Sequence, residues 1–554
     1  MDAQTVSDKP QLREPSRSRV PSETVVQPGR LLHPLVEYIS NRLKMLSEIV
    51  ELECDGVPVE FDSFRLRNLS QWTISQDRTL LGNFGSLSGY CNVRCNFCYE
   101  VGNPLPYDLT MLSVSEAQTR AKYYEAETGR GLLQFSERLD LEVFTNPWLI
   151  DILRIFRERN PDHIISLTTN GARLDDSVLE ALVSLSPIHL IISLNNSNPE
   201  ARASIMHDPR SRVAVEAVKK LHGLGIPYTG GIVAWPDLPN NELVETIRFF
   251  DEHQARTIRI SLPSYSGYFS SGKTLFDTEK EWERIFSIVE NEASKISTPI
   301  SAVPYLFRGL PIVPRVSGVI RNSPAFYSGI KRDDIVLSVQ GHQVHSRMEC
   351  KQLINEQIQM QKGVVNLEIE RNGEILEFVL DDRSGRDSDF YPYKPKGYKS
   401  PYELGDAFNS LLGLFMNDDI DPSDLLTVVE LARKHSAKTV VILTSELVES
   451  IVCTYLEQNP MLLECTKDLE VIVVSPKHNF WGGNIMVGDL YLCEDYIACL
   501  KRLTKKLGRT PDLAVIPSTF SPNNWTDLAG VPYTEVQLQT GIAVELVPCR
   551  QIVV

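Results

Sequence analysis

The stretch SGYCNVRCNFCYEVGNP, residues 88–104, places Cys91, Cys95 and Cys98 on one short segment, and the next cysteine along the chain is Cys350. Thiolates at positions i, i+4 and i+7 can converge on a single metal centre, because the loop is long enough to fold around it and too short to send them apart. Zinc is one reading, but zinc sites usually recruit Cys and His in pairs and take four ligands in all. Between His33 and His163 the chain has no histidine, so a local zinc site would lack its fourth ligand. The other reading is a cubane iron–sulfur cluster, which usually takes four cysteines, one per iron. Three cysteines leave one iron open.

Working outward from this loop, short β-type runs alternate with amphipathic helices from about residue 78 to 302. GLLQFSE, HIISLTT, HLIISLN, YTGGIVA and TIRISL are separated by stretches such as NPWLIDILRIFRER and SRVAVEAVKKLHGLG. Strand–helix repetition at that spacing predicts a parallel sheet with crossover helices. Together with LLGNFGSLSG just before the cysteines, it predicts an α/β fold with a partial (β/α)6 barrel. Chemistry in such barrels sits at the C-terminal ends of the strands. The cysteine loop follows the first predicted strand and therefore belongs to that face.

An open iron is what S-adenosylmethionine (SAM) needs if its amino and carboxylate groups are to chelate the metal beside the cluster. One electron can then cleave a carbon–sulfur bond and release a 5′-deoxyadenosyl radical, chemistry that belongs to the cofactor. The spacing CxxxCxxC, with Phe97 just before the last cysteine, resembles the radical SAM superfamily. The resemblance implies that Cys91, Cys95 and Cys98 hold a [4Fe–4S] cluster and that Phe97 packs near the adenine. At the end of the second strand the superfamily often has a Gly-Gly-Glu segment that holds the SAM amino group, and QFSERLDLEVFTNP has no such glycines. Ser136, Glu137 and Asp140 are the expected counterparts, with Glu142 as the alternative if an insertion displaces the register. After the third and fourth strands, Thr169 and Asn170 of SLTTNG and Ser193 and Asn195 of ISLNNSNPEAR match positions that bind the carboxylate or ribose of SAM. The pair Gly230-Gly231 would let backbone approach the adenine, or mark a bulge.

Residues 303–382 change texture. SPAFYSGIKRDDIVLSVQGHQV resembles a PDZ domain of the bacterial type, a small β-rich module that takes an extended peptide as an added strand. The carboxylate-binding loop of that resemblance falls on Gly309-Leu310-Pro311-Ile312, where Pro311 removes a backbone donor. A module docked on its own barrel as a lid or spacer is the alternative. Residues 383–402 read as a linker, and 403–554 as a C-terminal α/β domain with KTVVILTS, LEVIVVS and DLAVIPS as buried strands. Its VSPKHNFWGGNIMVGDLYLCEDYIACL segment resembles a domain of unknown function that accompanies a PDZ module and a radical-SAM-type barrel in one iron–sulfur protein family. That family places the PDZ module first, whereas here it follows the barrel. NFWGGN is a Gly-rich loop suited to a phosphate or to a tight turn. Cys453, Cys465, Cys493, Cys499 and Cys549 could ligate an auxiliary cluster, but their wide spacing and apolar neighbours favour buried core thiols.

Residues 1–30 read as a disordered leader. The extension 31–77 combines helical apolar spacing in HPLVEYISNRLKMLSEIVELE with a hairpin turning at Asp55-Gly56. The 554 residues exceed one core and predict three or four domains. A formal charge of −16 with no dense Lys/Arg block argues against nucleic acid. No apolar run approaches the roughly 20 residues of a membrane span, and no signal sequence is legible, so the expected compartment is the cytoplasm. The resemblance implies a radical SAM enzyme, an oxidoreductase or transferase. Its expected substrate is a peptide or protein held beside the barrel, and a flavodoxin or ferredoxin is its expected electron donor. A small-metabolite substrate, and a PDZ-bearing iron–sulfur scaffold without catalysis, are the alternatives.

Overall fold

A computed structural model describes residues 49–54, 57–62, 87–98, 111–123, 132–133, 141–161, 164–360, 363–381, 410–417, 419–518, 527, 529 and 531–548. The leader, the linker and the candidates Ser136, Glu137 and Asp140 lie outside the described residues. Strands β1 (Ile49–Cys54) and β2 (Val57–Asp62) form an antiparallel hairpin. The helical spacing read as far as Glu53 therefore gives way to strand from Ile49, where pairing with β2 satisfies the backbone.

The barrel sheet contains β3 (Leu132–Leu133), β4 (Ile164–Thr169), β5 (Ile188–Ser193), β6 (Tyr228–Val233), β7 (Thr257–Ser261) and β8 (Ile300–Val303). All pairings are parallel and the order is sequential, an open six-stranded barrel wall. Parallel neighbours need crossovers, and helices such as Asp176–Ser184, Asn240–Glu252 and Thr278–Ala293 supply them. Alternation separates the two faces of the wall. Ile165, Leu190, Ile192, Ile232, Ile258 and Ile260 bury against the helices. The inward row is polar, with Ser193, Gly231, Arg259 and Ser301 side by side in register. Lower in the lumen, Thr229 Oγ1 lies 3.2 Å from His189 Nε2 and 2.9 Å from Thr257 Oγ1. Burial, then the charge of Arg256, holds His189 neutral, well below the usual imidazole range. Gly230 is neither bulge nor ligand platform: pairing runs through it unbroken, and a Cβ there would stand 2.6 Å from the Phe250 ring.

The next module contains β9 (Gly318–Val319), β10 (Ile335–Val339), β11 (His342–Gln343), β12 (Val364–Arg371) and β13 (Glu374–Asp381), with helix Arg347–Gln359. It is completed from beyond the linker. Strands β14 (Ser410–Leu411) and β15 (Leu414–Phe415) form a tight hairpin whose second strand pairs with β9. Leu411, Leu412, Leu414 and Met416 share one core with Val316, Ala325, Ile354 and Val365. By its sequence this segment belongs to a C-terminal domain beginning at 403; its apolar residues pack into the preceding module instead. The expected peptide-end loop is also displaced. Ile312 is buried among Leu425, Val428 and Tyr455 of the C-terminal domain, and Arg347 Nη1 donates to the Pro311 carbonyl at 2.5 Å. An apolar side chain at 312 is better removed from water there than at the head of an open groove. The module rests against the N-terminal end of the barrel sheet, where Arg321 Nη1 donates to the Asp251 carbonyl at 3.1 Å and Gly318 abuts Pro299.

The last sheet is parallel, with β16 (Thr439–Leu443), β17 (Glu470–Val474), β18 (Leu513–Ser518) and β19 (Ala543–Pro548) in the order β17-β16-β18-β19. Cys493 and Cys499 lie in its core. Among the described residues no helix is long and apolar enough to cross a membrane.

Candidate functional site

The cysteine loop is held by backbone to the end of one helix. Asn198 caps helix Pro199–Met206 by accepting from Glu200 N–H and Ala201 N–H, with Pro199 in the first turn. The helix ends where its last carbonyls have no intrahelical donor. The loop supplies donors: Arg94 N–H to Met206 O and Asn96 N–H to Ile205 O, both at 2.9 Å, while Cys98 N–H closes on Cys95 O at 3.1 Å. On its other flank Glu142 N–H donates to Tyr90 O at 2.9 Å. The loop therefore lies across the C-terminal ends of β4 and β5.

Glu142 is the residue that ties these ends together. Its carboxylate is buried and accepts from Thr169 Oγ1 at 2.7 Å, Asn170 N–H at 2.6 Å and Phe144 N–H at 3.2 Å. Burial pushes its carboxyl upward, against these three hydrogen bonds. Asn170 Nδ2 in turn donates to Asn92 Oδ1 at 2.9 Å and approaches Cys91 Sγ at 3.9 Å. Thus Cys91, Asn170, Thr169 and the alternative candidate Glu142 are brought together.

Asn195 is used by the protein itself, and Ser193 through its carbonyl. The Ser193 carbonyl accepts from Arg202 Nη1 and Asn195 Nδ2, each at 3.2 Å. Asn195 takes a left-handed φ of 63° and accepts Val233 N–H at 2.8 Å, so its amide braces a turn. Phe97 sits half-buried on the loop.

Arg202 was not singled out in the sequence, where it is one charge on a short helix. In the fold it is fully buried. It pairs with Asp208 at 3.0 Å and donates to the carbonyls of Asn170, Ser193 and Leu194. Burial lowers its own pKa, which Asp208, Cys95 and Glu142 oppose.

Three soft donors on an anchored loop suit an iron–sulfur cluster. Burial, then the charge of Glu142, pushes Cys91 up to about 12. Burial, then repulsion from Cys91 and Cys98, pushes Cys95 up as well. The thiols are thus close enough to repel one another when ionised, although among the described residues no group of three Cys, His, Asp or Glu side chains is closed to a metal-binding set. Without metal the Cys91 and Cys95 thiols hold their protons; a bound metal would displace them.

Residues 86–250 match the family model for the radical SAM superfamily, and residues 289–381 match that for the PDZ domain. The barrel is a radical SAM domain. Solved structures with a similar fold include SuiB of Streptococcus suis bound to S-adenosylmethionine, at 15% identity and a TM-score of 0.31, covering 40% of this chain and 50% of that one. Methylornithine synthase aligns at 15% identity and a TM-score of 0.29, over 39% of this chain and 63% of that one. The radical SAM methyltransferase TsrM of Kitasatospora setae, with cobalamin and a [4Fe–4S] cluster bound, aligns at 15% identity and a TM-score of 0.26, over 33% and 36%. The chain spans between about a third and two thirds of these structures. Comparison with curated protein sequences gives no match. The radical SAM domain carries the cofactors of its superfamily, SAM and a [4Fe–4S] cluster.

Proposed function

We propose that this radical SAM enzyme holds its [4Fe–4S] cluster on Cys91, Cys95 and Cys98 and cleaves SAM reductively to modify a further substrate. The observation that carries this reading is the convergence of the cysteine loop, Glu142, Asn170 and Arg202 on one end of the parallel sheet. The cluster supplies the electron for carbon–sulfur cleavage of SAM, and the chain supplies placement and charge. Arg202 puts a buried cation beside Cys95, which offsets part of the negative charge of three thiolates. Glu142 fixes the ends of β4 and holds a carboxylate where the amino group of SAM would be received. Asn170 orients the segment next to Cys91.

A peptide or protein substrate is supported by the PDZ domain, whose kind binds extended chains. A flavodoxin or ferredoxin is the proposed electron donor, and the cytoplasm the proposed compartment. The test is anaerobic reconstitution with iron and sulfide. Wild-type protein should bind about four irons, in keeping with one cubane, and release 5′-deoxyadenosine when given dithionite and SAM. Replacing all three cysteines by Ala should abolish both. Retention of iron by that variant sinks the ligand assignment, and an intact cluster that yields no SAM fragment favours the scaffold reading.

A further inference from the structure

The glycines of NFWGGN serve a contact within the chain. Asn484 Oδ1 accepts Tyr265 N–H at 2.7 Å, and Asn484 Nδ2 donates to the Pro263 carbonyl at 3.1 Å. Asn484 N–H donates to the Tyr265 carbonyl at 3.0 Å, and Gly267 N–H to the Trp481 carbonyl at 2.7 Å. A Cβ on Gly483, whose φ is +63°, would stand 2.1 Å from the Tyr265 carbonyl oxygen. The loop can close on the barrel only because that Cβ is missing.

The place of this contact matters more than its tightness. Pro263–Gly267 directly follows β7, so it lies at the same end of the barrel sheet as the cysteine loop and Glu142. The loop 479–484 follows β17, at the C-terminal end of the second sheet. Leu447, which follows β16, and Met486 pack against the barrel core. Two parallel sheets therefore meet by the ends at which such sheets bind their ligands.

Rings gather along the seam. Trp235, which follows β6, meets Phe269 and Phe276 edge-on at 5.8 and 5.5 Å. Tyr268 meets Phe480 at 5.6 Å, and Phe480 meets Trp481 at 5.1 Å. Trp481 is 7% exposed, and among the described residues its indole N–H finds no acceptor. A buried donor without a partner is costly, whereas Trp235, Tyr268, Phe269, Phe276 and Phe480 each keep part of their surface.

We propose that the C-terminal domain is the fixed outer wall of the radical chamber, and that the substrate presents a planar, uncharged ring bearing a hydrogen-bond acceptor to this aromatic seam. The proposal rests on the radical SAM reading and narrows its substrate class. Phe480 and Trp481 are specificity-determining residues in it. Ring faces and edges recognise other rings, and the indole N–H supplies the polar contact.

Two measurements on the full chain test it. The first uses metal-free protein with benzyl alcohol and glycerol as probes in saturation-transfer NMR. Ring protons of benzyl alcohol should show contact with wild type, weakened by about three-fold in Phe480→Ala, the worth of one ring contact; Phe480→Leu, which keeps bulk without the ring, should resemble Phe480→Ala. Equal signals from both probes, or no effect of either variant, overturn the proposal. The second uses reconstituted protein with SAM, dithionite and the perdeuterated probes. One electron from dithionite splits SAM into methionine and the 5′-deoxyadenosyl radical. That radical takes a deuterium atom from a probe C–D bond, giving monodeuterated 5′-deoxyadenosine and a carbon radical that dithionite and a water proton reduce. Wild type should take deuterium from benzyl alcohol in preference to glycerol, and Asn484→Ala, which frees the wall, should raise labelling from glycerol. Unchanged labelling in Asn484→Ala overturns the wall. Absence of any deoxyadenosine together with intact ring contact in the first measurement overturns the radical reading and leaves the aromatic site supported.

Discussion

Arg202 meets the carbonyls that end β4 and β5 and the carboxylate of Asp208, all away from water. A buried cation with one counter-ion and several carbonyl acceptors is stable as a set and fragile to the loss of one member. Arg202→Met leaves Asp208 charged and buried, and should lower unfolding free energy by about 3–5 kcal/mol in guanidinium titrations. Arg202→Met with Asp208→Leu removes both charges and should recover part of that loss. If the single variant were as stable as wild type, the hub role would be wrong. The three cysteines were legible because their spacing is local. Arg202 owes its weight to burial, which a one-dimensional pattern does not carry; Glu142 was legible only as the alternative to Ser136, Glu137 and Asp140, and gains its place when Thr169 and Asn170 are folded onto it.

Among the elements, the hairpin of β14 and β15 departs furthest from its sequence reading. Its turn uses Leu412 at φ 57° and Gly413 at φ 95°, positive values that match the twist of a two-residue hairpin loop. A Cβ on Gly413 would lie 1.8 Å from Ser323 Oγ, and Ser323 caps helix Pro324–Ser328 by accepting Phe326 N–H. Gly413→Ala should therefore destabilise the PDZ module by roughly 2–4 kcal/mol, through strain at positive φ and overpacking together. A fall in the module's melting transition checks this, with the barrel as internal reference. A variant that melts with wild type would mean that the hairpin docks loosely. The Ser-Pro-Ala punctuation and the β-rich texture of the module were readable because turn chemistry and alternation are short-range. Which later segment would close the sheet was not, since many apolar pentapeptides could pair with β9 and only one is delivered there by the rest of the fold.

At the scale of the molecule, Arg347 and Asp419 join the segments. Their side chains stand 3.0 Å apart and are almost fully buried, and Arg347 N–H also donates to the Ile312 carbonyl at 3.1 Å. Burial outweighs the pull of Arg347 and pushes the Asp419 carboxyl up to about 6. A carboxyl raised in the folded chain binds its proton more tightly there than when unfolded, so its contribution favours folding at low pH and is lost as pH rises through the folded value. Asp419→Asn, neutral throughout, should gain roughly 1–3 kcal/mol relative to wild type between about pH 4 and 7, read from denaturation midpoints across that window. A constant difference between the two proteins would show that Asp419 does not titrate with folding.

The chain by itself determined what depends on near neighbours: three thiols at ligand spacing, five of the six parallel strands of the barrel sheet, with Ile300–Val303 unread, the turn punctuation of a PDZ module, and a second α/β unit. Tertiary structure decided what depends on distant ones. It chose Glu142 to hold the β4 end beside Cys91, buried Arg202 beneath the cysteine loop, drew residues 410–416 into the PDZ core, and brought NFWGGN, read as a phosphate loop or a tight turn, into the seam with the barrel. The division follows the range of the forces. Backbone sterics, hydrogen-bond periodicity and chelate spacing act over a few residues and leave their mark in the string, whereas burial and close packing act between surfaces that become neighbours only when the chain has folded.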